Sequence, residues 1–323
     1  MSKPRILVTR RWPEQVERHL QEAYDVQLNA DDRPLTAAEL QAAFGDYDAV
    51  LPTVSDRITA EAMGAEPLKA RLVGNFGVGF NHIDVEAAKA RDLTVTNTPD
   101  VLTDCTADLA MTLLLTVARR AGEGERHLRA SDWTGWRPTH MMGTKVTDKT
   151  LGLVGFGRIG KAVARRAHYG FGMKIIYYDA YPADPDAVAA VGAVSCSSVE
   201  EVLERADFVS LHCPGSAENR HLLNAERLSV MRPHAFLINT ARGDIVEEAA
   251  LVAALKAGTI AGAGLDVYEN EPKVSTDLAS LENVVLLPHL GSATEETRVA
   301  MGMRVARNVR AFFAGEPPPD RVA

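Results

Sequence analysis

The chain has 323 residues, with Lys plus Arg at 35 against Asp plus Glu at 43, a formal net charge of -8. At about 150 residues per domain this length predicts two domains, and the acidic balance argues against a binder of nucleic-acid backbones, which shows a basic stripe. Hydrophobic residues at 46% and charged residues at 24% sit near the globular average and exclude wholesale disorder.

Short apolar, β-branched runs alternate with helical patterns in the first hundred residues. Strands are predicted at 5–9, 48–52, 71–75 and 93–97, with helices at 36–43 and 85–90. This is the rhythm of βαβ units around a parallel sheet. Asn97-Thr98-Pro99-Asp100 breaks it, and a helix over 103–120 follows. Its apolar positions are almost continuous, which predicts burial. Its most apolar part, 109–118, is too short to cross a bilayer. Gly122, Gly124, Ser131, Gly135, Pro138 and Gly143, with Trp133 and Trp136 among them, read as a loop-rich arm. A second alternating series then predicts strands at 150–154, 174–178, 208–211, 235–239, 262–266 and 283–287. In the last helix Val299, Met303, Ala306, Val309 and Phe313 define the apolar face, and Gly315 with Pro317 to Pro319 ends it.

Cys105, Cys196 and Cys213 are odd in number and form no Cys-x-x-Cys pair, so free thiols are expected and no metal site. The N-terminal stretch turns polar at Thr9-Arg10-Arg11, without a signal-peptide core. A cytoplasmic protein is the expectation, with no membrane and no nucleic-acid partner.

Gly155-Phe-Gly157-Arg-Ile-Gly160 fits G-x-G-x-x-G, with a strand running into it and a helix, 161–168, leaving it. Gly155 allows the tight turn, Gly157 lets backbone approach a pyrophosphate, and Gly160 lets the helix pack on the strand. The helix-start amides near Arg158 and Ile159 then face the phosphates. The next strand ends near Asp179, where a carboxylate can accept from both ribose hydroxyls and would repel a 2′-phosphate. No Arg or Lys follows in Ala180-Tyr181-Pro182. NADH is therefore expected over NADPH. A glycine-rich turn with no cofactor is the plainer alternative.

Ligands of doubly wound sheets sit outside the carboxyl ends of the strands. Those ends carry His212-Cys213-Pro214, Asn239-Thr240-Ala241-Arg242-Gly243-Asp244, Asp266 with Glu269 and Glu271 beyond, and Pro288-His289-Leu290-Gly291. A guanidinium can hold an α-keto acid through two parallel hydrogen bonds. A histidine can protonate the carbonyl oxygen as hydride reaches carbon, and a neighbouring carboxylate favours its imidazolium form. Taken singly, Arg242 could pair only with Asp244, and Glu271 could be merely solvated beside Pro272. The coincidence of Arg242, Glu271 and His289 at strand ends is what points to carbonyl reduction. His212, His221 and His234 read as structural or surface residues.

At these residues the chain resembles the D-isomer-specific 2-hydroxyacid dehydrogenase family over nearly its whole length. The motifs are Gly77-Val-Gly-Phe-Asn-His-Ile-Asp84, Asn97-Thr-Pro-Asp-Val-Leu-Thr-Asp104, the glycine loop, His212-Cys-Pro214, Ile238-Asn-Thr-Ala-Arg-Gly243, Gly264-Leu-Asp-Val267 and Pro288-His-Leu-Gly-Ser-Ala-Thr294. Within the family it is most similar to the glyoxylate/hydroxypyruvate reductase branch. The resemblance implies an α/β fold of two Rossmann-like domains with parallel sheets. Residues 1–100 with 291–323 would form a flavodoxin-like, discontinuous substrate-binding domain. Residues 101–290 would form a doubly wound NAD-binding domain, with the active site in the cleft between the two.

The implied roles are catalysis by Arg242, Glu271 and His289, with His289 as proton donor and Glu271 as its partner. Arg242 and His289 would bind the substrate together with the amides of Val78 and Gly79. Cofactor contacts are implied at Thr106, Gly155, Gly157, Arg158, Ile159, Gly160, Asp179, Cys213, Pro214, Thr240, Ala241, Asp266, His289 and Gly291, with Asp266 on the nicotinamide carboxamide. A homodimer is implied, joined through the helix after Asp100 and the Trp-containing arm. The substrate would be a small 2-keto acid or 2-hydroxy acid, glyoxylate or hydroxypyruvate first. D-lactate or 3-phosphoglycerate oxidation, or an NAD-sensing corepressor role on the same fold, are the alternatives. His140 stands where reductases of this branch often have Trp, and Gly215-Ser216 replaces the commoner Leu-Thr after His-Cys-Pro.

Overall fold

The computed structural model describes residues 3–323. In chain order the elements are β1 (Arg5–Val8), α1 (Glu14–Ala23), β2 (Asp25–Leu28), α2 (Ala37–Asp46), β3 (Ala49–Leu51), β4 (Leu72–Gly74), α3 (Val85–Ala90) and β5 (Thr94–Thr96). Then come α4 (Thr103–Ala118), α5 (Ala121–Arg129), β6 (Thr150–Val154), α6 (Arg158–Phe171), β7 (Lys174–Tyr178), α7 (Pro185–Ala190), β8 (Val194–Ser195), α8 (Val199–Arg205) and β9 (Phe208–Leu211). The series closes with α9 (Ala225–Ser229), β10 (Phe236–Asn239), α10 (Glu248–Lys256), β11 (Gly262–Leu265), α11 (Thr276–Ala279), β12 (Val284–Leu286) and α12 (Glu295–Phe313). The chain divides into two compact units, one of residues up to Leu102 with Ala293–Ala323, the other Thr103–Ser292.

The first unit holds a five-stranded parallel sheet in the order β2-β1-β3-β4-β5, the flavodoxin-like arrangement. Its inner strands are short and apolar because both faces are covered. One face packs Leu40, Phe44, Ile58 and Met63 against the strands, the other Trp12, Val16, Leu20, Met301, Val305 and Val309. Local chemistry sets the helix starts. Thr36 and Glu39 form a reciprocal capping box before α2, and Asp84 caps α3 by accepting from the Ala87 N–H at 2.9 Å.

α12 belongs to this unit because Gly302 lets it approach α1 closely. A Cβ there would stand 2.6 Å from Val16 Cγ1. The buried stripe of α12 is therefore Met301, Val305, Ala306 and Val309, and Met303 is 38% exposed. The face expected from the sequence is displaced by part of a turn, because the smallest residue decides which side docks. Beyond α12, Asp320 receives Arg304 through both carboxylate oxygens, at 2.9 and 2.7 Å. Arg321 then bridges Thr96 in antiparallel sense, the Val322 N–H donates to Val95 O at 2.7 Å, and the Val95 N–H donates to Ala323 O at 3.0 Å.

The second unit holds a seven-stranded parallel sheet, β12-β11-β10-β9-β6-β7-β8, the doubly wound order. Two apolar layers cover it. Val202, Leu203, Leu251 and Leu255 pack on one face, and α4 and α6 supply Leu113, Leu114, Val163 and Ala167 to the other. The burial of α4 thus comes from its own unit. Several features escaped the sequence reading, β8 among them. The segment 10–35 carries α1 and β2. The expected loop-rich arm begins as helix α5, despite Gly122 and Gly124, started by Arg120 in a left-handed turn (φ 51°) with its guanidinium on Glu123. Among the described residues no helix is long and apolar enough to cross a membrane.

Candidate active site

The glycine loop joins β6 to α6. Gly155 has φ +96°, and a Cβ there would meet the His212 and Cys213 backbone at 2.7 Å, so only glycine fits the turn. Gly157 caps α6 without a side chain, and a Cβ at that position would meet nothing within 4 Å. The first-turn amides of a helix have no intrahelical acceptor. In α6 the first-turn residues are Arg158, Ile159 and Gly160. Asp179, just past β7, accepts from the Phe156 N–H at 2.6 Å and the Tyr181 N–H at 2.9 Å, which fixes its carboxylate beside the loop. Thr240 Oγ1, at the end of β10, is buried without a hydrogen-bond partner among the described residues. A cradle of open backbone, a helix N-terminus, a fixed acid and an unsatisfied hydroxyl fit a dinucleotide. Cys213 and Pro214 follow β9 directly. Burial pushes the Cys213 thiol up to about 11, so it stays protonated.

β10, β11 and β12 are neighbours in the sheet, which brings the residues after their carboxyl ends to one edge. Arg242 leaves β10. Its Nη1 donates to Ala241 O at 2.6 Å, and burial lowers its pKa against the raising charges of Glu271 and Asp244. Asn239 brackets this turn, donating from Nδ2 to Arg242 O at 2.8 Å and accepting from the Ala241 N–H at 3.0 Å. Glu271 Oε2 lies 2.8 Å from His289 Nδ1, with both side chains about one-third exposed. Burial raises the Glu271 pKa, but the hydrogen bond and charge of His289, the Tyr268 N–H and the Arg242 charge together bring it below its ordinary value. Glu271 is therefore ionised and can only accept, so Nδ1 of His289 donates to it. That leaves Nε2 as the imidazole's other functional atom.

His289 itself stands in the left-handed region at φ 55°, a conformation that persists only where the surroundings impose it. They do so through Asp266. The His289 N–H donates to Asp266 O at 2.9 Å, and the Asp266 carboxylate accepts from Leu290 N–H at 2.6 Å and Gly291 N–H at 2.8 Å. Thr106 Oγ1 donates to Gly291 O at 2.9 Å. Asp266 is fully buried, and burial pushes its carboxyl up against the lowering effect of those two amides and of His289. Thr106, Asp266 and Gly291, expected as cofactor residues, thus converge on the segment that presents His289.

Sequence reasoning missed two contributors. Asn239 sat unremarked inside a quoted motif, although an Asn at the end of a strand is a turn former. Tyr268 donates its hydroxyl to Leu287 O at 2.8 Å and its N–H to Glu271 Oε1 at 3.1 Å, tying the Glu271 loop to the end of β12. No sequence signal marks it. The remaining histidines are held elsewhere. His221 faces Glu269 at 2.7 Å and His234 faces Asp207 at 2.8 Å. His212 meets Ser210 Oγ at 2.9 Å, and burial lowers its pKa to about 4. Val78 and Gly79, in the first unit, follow β4 on a partly exposed loop.

Residues 111–291 match the D-isomer specific 2-hydroxyacid dehydrogenase, NAD binding domain. The chain is 46% identical to a glyoxylate reductase of Thermococcus kodakarensis, over 99% of this chain and 96% of that protein. It is 39% identical to a glycerate dehydrogenase of Hyphomicrobium methylovorum, over 98% of each. Among solved structures, an NADPH-dependent glyoxylate/hydroxypyruvate reductase from Sinorhizobium meliloti, in complex with NADP and malonate, superposes with a TM-score of 0.88 at 39% identity, covering 100% of this chain and 97% of that one. With the glycine loop, the Arg242 turn and the Glu271–His289 pair on one unit, these matches make the chain a member of the D-isomer specific 2-hydroxyacid dehydrogenase family.

Proposed function

We propose that this chain is a reductase of small 2-keto acids, glyoxylate or hydroxypyruvate first, using NADH. The observation that carries the reading is the Glu271–His289 hydrogen bond of 2.8 Å at the sheet edge that also carries Arg242. When bound, a reduced nicotinamide supplies the hydride. Arg242 takes the keto acid with its planar fork and polarises it. His289 gives the Nε2 proton to the carbonyl oxygen as it becomes a hydroxyl. Glu271 keeps the Nδ1 proton in place throughout, so the imidazole returns to one defined tautomer and takes its next proton at Nε2. The amides of Val78 and Gly79 receive the substrate carboxylate. The Gly155–Gly160 loop and Asp179 hold the dinucleotide, with Thr240, Ala241, Cys213 and Pro214 along its path.

The choice of NADH rests on Asp179. Its fixed negative charge disfavours a 2′-phosphate, and Lys161, on α6, already faces Asp184 at 3.6 Å. Two copies pair through α4 and the segment after it. Leu128, Trp133, Trp136 and Met142 support this as an exposed apolar group, Trp136 at 81%. Sedimentation velocity checks it, and a monomer at micromolar concentration would remove the pairing. Free thiols at Cys105, Cys196 and Cys213 suit a reducing, cytoplasmic setting.

The test of the activity is NADH and NADPH oxidation across a panel of glyoxylate, hydroxypyruvate, pyruvate and larger 2-keto acids. The expected result is the highest kcat/KM with NADH and one of the first two acids. Absence of turnover with every acid would overturn the reading and favour a binding role.

A further inference from the structure

The loop Gly77-Val78-Gly79 has every carbonyl held by an asparagine amide. Asn75, fully buried just after β4, donates from Nδ2 to Gly77 O and to Gly79 O, each at 3.0 Å. Asn97, just after β5, donates from Nδ2 to Val78 O at 2.9 Å. The Thr98 N–H adds a second bond to Gly77 O at 3.0 Å. The Asn75 amide is itself fixed. Both its Nδ2 protons are committed, so Oδ1 is the acceptor, and His82 Nε2 donates to it at 3.0 Å.

With these three carbonyls held, there remain the amides of Val78 and Gly79. Among the described residues they donate to no protein acceptor. Val78 and Gly79 are partly exposed, whereas the asparagine beneath them is not. Backbone amides held in place this way bind an anion with no rearrangement at the moment of binding.

We propose that Asn75, locked by His82 and seconded by Asn97, is the positioning residue that turns the Val78 and Gly79 amides toward the substrate carboxylate. The inference rests on the reading of those two amides as carboxylate binders, and it adds the side chains that set their direction. Asn75 acts through the backbone and need not touch substrate.

The experiment compares the full-length protein with Asn75→Ala, Asn97→Ala and Gly79→Pro, the last deleting one amide N–H. KM for glyoxylate, kcat, the Kd for NADH by fluorescence, and thermal unfolding are read for each. Expected are a rise in KM of about tenfold for Asn75→Ala and about threefold for Asn97→Ala, with kcat within about twofold and NADH affinity unchanged. Gly79→Pro raises KM as well. If Gly79→Pro raises KM while both asparagine variants keep the wild-type value, the positioning role is wrong and the carboxylate site stands. If Gly79→Pro also leaves KM unchanged, the carboxylate reading fails and takes the inference with it. A loss confined to kcat marks Asn75 as merely structural and overturns the proposal. Should Asn75→Ala unfold, Asn97→Ala, at a half-exposed position, decides the question alone.

Discussion

In the proposed function, the glycine loop of the second unit and the strand-end cluster of the same unit would recognise their ligands by different physics. From Gly155 to Gly160 the recognising groups would be backbone amides, set by a left-handed glycine and a helix start. Such groups carry no titratable proton and are blind to pH. The cluster of Arg242, Glu271 and His289 is made of side chains, leaving β10, β11 and β12 of one sheet edge. Its chemistry depends on charge state. Binding of the dinucleotide and reduction of the keto acid should therefore separate cleanly when each region is perturbed.

The largest effect belongs to the cluster. Arg242→Ala is expected to lower kcat/KM for the keto acid by roughly a thousandfold. Arg242→Lys recovers only a small part, because a lysine keeps the charge and loses the fork. Steady-state kinetics checks both, and NADH affinity should stay at the wild-type value. The comparison breaks if NADH binding falls in parallel.

Gly155→Val tests the other side. A side chain at φ +96° and 2.7 Å from the Cys213 N forces the turn open, and the NADH Kd is expected to rise about a hundredfold. The shape of the pH profile should not change.

Glu271→Gln sharpens the contrast. It should cost about tenfold to a hundredfold in kcat/KM and move the alkaline limb of the reduction profile to lower pH, since the imidazolium loses its anionic partner. The sign follows from the lowered Glu271 pKa, which keeps the wild-type carboxylate charged down through its ordinary titration range. An unshifted profile would dissolve the pairing. The smallest effect is expected of Asp179→Ser, a relaxation of the proposed NADH over NADPH preference by about tenfold, read as a ratio of kcat/KM values.

Legibility followed the same division. The glycine loop is contiguous, and each residue in it answers a local backbone demand, so the motif could be read directly. Arg242, Glu271 and His289 could be nominated because parallel sheets gather strand ends. Their pairing is a tertiary fact between residues 18 apart. Tyr268 and the pinning of His289 by Asp266 left no mark, because each works through a carbonyl or an amide about twenty residues along the chain, whereas Asn239 acts within its own turn and was open to being read there. Helices went astray where one small residue overrode periodicity, as at Gly302, or where ion pairs started a helix across glycines, as at Arg120 and Glu123.

The strap from Asp320 to Ala323 along Val95 has a consequence for how copies of this molecule meet. A bare outer strand offers a row of amides and carbonyls that any extended peptide can zip onto. Here Val95 already exchanges hydrogen bonds with Val322 and Ala323, and the Arg304 grip on Asp320 anchors that strip. The β5 margin is thereby closed to strand addition, and a second copy approaching this edge meets side chains in place of a free backbone ladder.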